Sequence, residues 1–117
     1  MPTRTSAVAS HFAKASPPVR STYDAVLVAA RSLGSVVEDP KKTSIHLVRE
    51  KAFAGVAVRQ QSLTLTLKAT RAIKSPRVRR VEQTSANRWH LEIPLASPQE
   101  VDRELRDWLQ AAYALGK

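Results

Sequence analysis

Residues 62–68 read SLTLTLK. Leu63, Leu65 and Leu67 alternate with Ser62, Thr64, Thr66 and Lys68. Side chains of a strand point alternately to its two faces, so this stretch predicts a strand with one leucine face and one hydroxyl-and-lysine face. A half-buried strand of this kind belongs to an antiparallel sheet that packs on a core with one face and meets water with the other.

Working upstream, AFAGVAV (52–58) is a small, apolar strand with Gly55 in its middle, a position that weakens a strand unless backbone or ligand approaches closely. Arg59–Gln61 makes a tight connection between the two strands. KTSIHLVR (42–49) alternates Ile45 and Leu47 with Ser44 and His46, and SVVED (35–39) is a short strand closed by Pro40. Downstream, Pro76 forbids a regular helix, although ATRAIK (69–74) has room for one turn. RVRRVEQ (77–83) resumes a strand, SAN (85–87) turns, and RWHLEIP (88–94) sets Trp89, Leu91 and Ile93 against Arg88, His90 and Glu92.

Two amphipathic helices bracket these strands. In the first, over 17–33, Ser16 is placed to cap and Pro17 and Pro18 suit the first turn. Val19, Tyr23, Val26, Leu27, Ala30 and Leu33 share one face, and Gly34 is placed to stop the helix. In the second, Ser97 with Glu100 forms a capping box and Pro98 takes the first helical position. Val101, Leu105, Trp108, Leu109, Ala112 and Leu115 then make the apolar stripe. Short connections between the strands give a mostly antiparallel meander of five or six strands. The fold expected is a two-layer α+β domain with both helices on one face of the sheet. Residues 1–9 read as a flexible N-terminal leader and 10–117 as a single domain.

Several segments together, HFAKASPPVRSTYDAVL, KKTSIHLVREKAFAGVAV, SLTLTL and WHLEIPLASPQEVDRELRDWLQAAYALG, resemble a family of small uncharacterised bacterial domains of unknown function. Some of its members are labelled as predicted transport proteins or are associated with predicted nucleases. The resemblance covers roughly residues 10 to 116. It implies a stand-alone α+β domain and carries no established chemistry, so no catalytic residue comes with it.

At 117 residues the chain is one domain by length. It has no cysteine, which removes disulfides, thiol catalysis and Cys-based metal sites. That suits a reducing, cytoplasmic location, the one expected here. No stretch has the length of a signal-peptide core or a membrane span, so no membrane partner is expected. The net charge is +9, which favours anionic partners. The charge is uneven: residues 61–95 hold seven basic residues and two acidic ones, whereas residues 96–117 are close to neutral.

Two groups of residues are candidates for binding. KATRAIKSPRVRR (68–80) holds six basic residues and no acid. Lys68, Arg71, Lys74, Arg77, Arg79 and Arg80 are candidate contacts to nucleic-acid backbone or another polyanion, positioning it without reading sequence. The alternative is a solvated edge whose charges discourage aggregation. Three of the six aromatic residues, Tyr23, Trp89 and Trp108, fall on apolar faces, which disfavours base stacking. The second group is the polar sheet face: Lys42, Ser44, His46, Arg59, Thr64, Thr66, Arg88, His90 and Glu92. If neighbours, these hold a carboxylate or phosphate, or let a His–Glu pair act as general base and partner; the alternative is the ordinary wet side of an antiparallel sheet. No metal site is expected, because His11, His46 and His90 lack ligand spacing. With only Gly34, Gly55 and Gly116 there is no phosphate loop, and no cofactor is implied. The balance points to a binding module rather than an enzyme. A protein-interaction domain is the third alternative, with the final helix as the surface for a partner or for a homodimer.

Overall fold

The leucine face of 62–68 is fully buried, with Leu63, Leu65 and Leu67 each 0% exposed. Each such burial stabilises the fold by about 1.5–3 kcal/mol. In the computed structural model, which describes residues 4–117, that strand lies at the centre of a six-stranded antiparallel sheet. The elements run α1 (Arg4–Ser10), α2 (Pro17–Arg31), β1 (Val37–Pro40), β2 (Ile45–Val48), β3 (Ala52–Val58), β4 (Leu63–Ala69), β5 (Arg80–Ser85), β6 (Arg88–Leu95) and α3 (Arg103–Ala114). Helices α2 and α3 pack on the leucine face, α1 packs on β1, and the fold is α+β.

The strand order is β1-β2-β3-β4-β6-β5. It is a meander through β4, and there β5 is passed over. The chain leaves β4 at Ala69, crosses on the helix side and enters the sheet at its far edge. It then turns back through β6, which pairs with β4 all the way from Leu63↔Leu95 to Ala69↔Trp89. The apolar content explains this order. The Leu91, Ile93 and Leu95 side of β6 is buried and belongs beside β4, whereas β5 is exposed along its whole length and suits an edge.

Four local features depart from the sequence reading. Residues 1–9, read as a leader, are helical from Arg4 onward among the described residues, and Val8 is buried. Helix α2 stops at Arg31, short of the expected 33, and the Ser16 hydroxyl caps nothing. Pro17 and Pro18 carry no N–H for it to receive, and its own backbone N–H donates to the Gln60 carbonyl (2.8 Å). ATRAIK forms no helical turn, and the strand expected from residue 77 begins only at Arg80. The Glu100 carboxylate does reach back to the Ser97 N–H (3.1 Å), but it closes only a 3₁₀ turn, Pro98–Glu100. Val101 then breaks the helical path with φ −82° and ψ 70°, and Asp102 starts α3 by accepting from the Leu105 N–H at 3.1 Å. Val101 packs against the core, and that anchor sets where the true helix begins.

One irregularity shapes the sheet's other face. Between β2 and β3 the register jumps from Leu47↔Ala54 to Val48↔Ala52, leaving Phe53 as an extra residue. This β-bulge turns two successive residues, Phe53 and Ala54, inward, and the Phe53 ring meets Tyr113 edge-on at 5.2 Å.

Candidate functional site

The open face of the sheet is set by strand register. One cross-strand row runs Asp39, His46, Gly55, Thr66, Glu92 and Arg80 from edge to edge. A neighbouring row holds Lys68, His90 and Glu82. Gly55 is the one residue of the first row without a side chain, and it sits between His46 and Thr66. It opens a depression of about 340 Å³ beside the bulge. Ser44, His46, Thr66, Lys68 and His90 provide polar groups around it, and Ala52, Gly55 and Ala57 provide apolar lining. A Cβ on Gly55 would lie 3.7 Å from His46 Cδ2, so the imidazole leans over the glycine. No carboxylate lines the depression. Among the described residues the side chains of His46, Lys68 and His90 carry no hydrogen bond or ion pair.

The structure therefore brings together four of the nine residues expected on this face, Ser44, His46, Thr66 and His90, and adds Lys68 from the basic stretch. Four others lie elsewhere. Lys42 is exposed in the β1–β2 turn, and Arg88 is exposed at the first residue of β6, opposite Ser85. Thr64 belongs to the next row, opposite Ala57 and Pro94. Arg59 turns instead to His11 and Lys14 around a separate recess. Glu92 keeps its place in the row, but its carboxylate faces Arg80 at 3.7 Å. The expected His–Glu pair is corrected by this contact, because Glu92 serves the Arg80 guanidinium rather than His90. Two strands separate β2 from β6, putting the backbones of His46 and Glu92 about 14 Å apart. No metal-ligating cluster occurs among the described residues.

The basic stretch is divided rather than continuous. Lys68 and Arg80 belong to the open face, whereas Arg77 lies on the helix side. Its guanidinium donates to Asp102 (2.8 and 3.0 Å), Glu104 (3.2 Å) and the Glu100 carbonyl (2.6 Å), beside the Trp108 ring. The Arg77 hydrogen bond, with that of the Leu105 N–H, holds the Asp102 carboxyl below its ordinary range. Arg77 clamps the crossing loop onto the start of α3, and Val78 beside it packs against the core. As a phosphate contact it is corrected: four acceptor oxygens already occupy it. Arg80 is engaged with Glu82 at 3.0 Å as well as with Glu92. Arg71, Lys74 and Arg79 remain exposed without an acidic partner among the described residues. The sequence signal for the clamp was present, since Glu100, Asp102 and Glu104 sit together at the helix start. Those acids face a partner as well as the helix dipole.

A family model described as "Domain of unknown function (DUF5655)" matches residues 8–116. The chain belongs to this family. The DUF5655 match opens at Val8, the buried residue of α1, and spans the depression, the crossing loop and the Arg77 clamp. No curated protein and no solved structure matches the chain. No helix among the described residues is long and apolar enough to cross a membrane.

Proposed function

We propose that this domain is a binding module for small anionic ligands, with the depression on the open sheet face as its recognition site. The observation that carries the reading is the composition of that depression. Lys68, His46 and His90 surround it with hydroxyls from Ser44 and Thr66, no carboxylate lines it, and its lining between them is small and apolar. A cationic and hydroxyl rim selects a carboxylate, sulfonate or phosphate. A mostly apolar concavity with a few convergent polar groups is the usual form of a small-molecule site. The ligand class that fits is an anion with a flat apolar body lying over Gly55 and Ala57.

A second reading keeps a nucleic-acid backbone as the partner, contacted by Lys68, Arg71, Lys74 and Arg79. It is favoured by one observation: these four cations carry no acidic partner among the described residues, whereas Arg77 and Arg80 do.

Titration with the fluorescent aromatic anion anilinonaphthalene sulfonate tests the first reading. The native chain should bind it and release it to competing aromatic carboxylates. Lys68→Ala should weaken binding about tenfold, the worth of one charge-assisted hydrogen bond. Gly55→Leu should abolish binding without unfolding the sheet, since the added Cβ makes only ordinary contact. If Gly55→Leu binds the probe as the native chain does, the depression is not the site. Anisotropy of a labelled duplex over rising salt tests the second reading. A steep salt slope, lost in an Arg71→Glu/Lys74→Glu/Arg79→Glu variant but kept in Gly55→Leu, would transfer the function to the loop.

A further inference from the structure

The two edges of the sheet are treated differently. At one edge β1 is only four residues long, ends in Pro40 and is packed against by α1. Short strands, proline and a covering helix are the ordinary means of stopping a sheet from pairing further. At the other edge β5 is six residues long, contains no proline and is exposed throughout. Val81, at 41% exposure, is the one apolar side chain of this strand.

We infer that β5 is the seam of a homodimer, pairing antiparallel with β5 of a second copy about Val81. The register follows from two observations. First, the pairing of β5 with β6 shifts between Gln83 and Ser85, so a bulge at Thr84 bends the end of the strand away. At its start Arg79 donates its N–H to the carbonyl of Glu92, the residue already opposite Arg80 (2.8 Å). The regular run is therefore Arg80–Gln83, and Val81 lies within it. Second, pairing about Val81 is the register that satisfies the charges. Arg80 faces Glu82 of the second copy, Glu82 faces Arg80 of the second copy, and the two valines meet between them. Centring on Arg80 or on Glu82 sets like charges opposite each other, which destabilises a pair. Arg80 and Glu82 already lie within 3.0 Å of each other inside one chain, so both heads are on the same face and need only exchange partners. The charges that would repel a foreign strand thus complement a second copy. The product is one continuous sheet with both depressions on the same side. It uses a different surface from the final helix, whose apolar residues Leu105, Leu109 and Ala112 are spent on the core.

The contact is short, so association is weak and depends on concentration. Sedimentation velocity of the full chain over about two decades of concentration should show a growing dimer. Arg80→Glu and Glu82→Arg should each weaken it at least about tenfold by placing like charges opposite each other, and the double exchange should restore it to within about threefold. The native chain has no cysteine, which permits a direct test of register. Directly opposed residues have Cα atoms about 4.5–5.5 Å apart, within disulfide range. On mild oxidation Val81→Cys should link two copies at least about tenfold faster than Gln83→Cys, which lies opposite Arg79 in this register. A native chain that stays monomeric throughout overturns the proposal. So do single exchanges that dimerise like the native chain, a double exchange that restores nothing while melting like the native chain, or equal rates for the two cysteine variants.

Discussion

Replacing Gly34 by alanine tests how the end of α2 is joined to the end of α3. Gly34 has φ +150°, a conformation that L-residues rarely adopt, and a Cβ there would overlap the Tyr113 hydroxyl. That hydroxyl donates to the Ser35 carbonyl at 3.1 Å. Two penalties follow. The backbone conformation costs an alanine about 1–3 kcal/mol. Displacing Tyr113 loses its hydrogen bond, about 0.5–1.5 kcal/mol more. The sum, about 1.5–4.5 kcal/mol, is a large share of the about 5–15 kcal/mol by which a typical domain is stable. Urea denaturation with an unchanged slope measures it. Tyr113→Phe separates the parts, since it removes the overlapping atom and the hydrogen bond together. It should cost about 1 kcal/mol alone, and Gly34→Ala in that background should cost only the backbone share. A Gly34→Ala variant within about 0.5 kcal/mol of the native chain would refute both the conformational and the steric argument. Full additivity with Tyr113→Phe would refute the steric part alone.

Other outcomes follow from the same structure. Leu65→Ala removes a fully buried side chain at the centre of the sheet and should cost about 2–5 kcal/mol, read from the urea midpoint; a cost under 1 kcal/mol would mean the core refills the space. Tyr23 is fully buried and its hydroxyl donates to Glu38 at 2.5 Å, so burial first and that bond second hold its pKa well above the ordinary value. Its contribution to stability is complete below about pH 10 and is lost as pH rises beyond that. The stability gap between the native chain and Tyr23→Phe should therefore narrow on the alkaline side, and a gap independent of pH would sink the assignment. Asp102 behaves in the opposite sense. Its pKa is lowered by Arg77, so the clamp's contribution is present above about pH 4 and fades as pH falls through the lowered value. Arg77→Met should be less stable than the native chain at neutral pH, with the difference closing in acid, as thermal melts over a pH series would reveal.

Periodicity alone identified the elements that hold this fold. The leucines of 62–68 can share a buried face only in a strand, and the two apolar stripes can form only on helices, whatever their partners. The antiparallel α+β class followed, because half-buried strands with short connections leave few other arrangements. Local chemistry also marked the turn after α2 at Gly34, although the helix itself ends earlier, at Arg31. Where local signals misled, a distant contact had decided. Val101 anchors in the core and moves the start of α3 from the Ser97 box to Asp102. The Gln60 carbonyl and two prolines take Ser16 out of capping. Strand order was not legible either, because exchanging β5 and β6 leaves every local pattern unchanged, and only the number of apolar residues each can bury against β4 separates the two. The site shows the same division. Polar residues on alternate positions fixed which side chains share the open face. Register and the bulge at Phe53 decided which of them meet around Gly55. The basic stretch looked uniform in one dimension and is split in three, because the loop crossing from β4 to the far edge packs Val78 on the core and so carries Arg77 to the helix side. There Arg77 meets the acids that start α3, and charge opposite charge at hydrogen-bond distance outweighs any advantage of leaving that arginine in water.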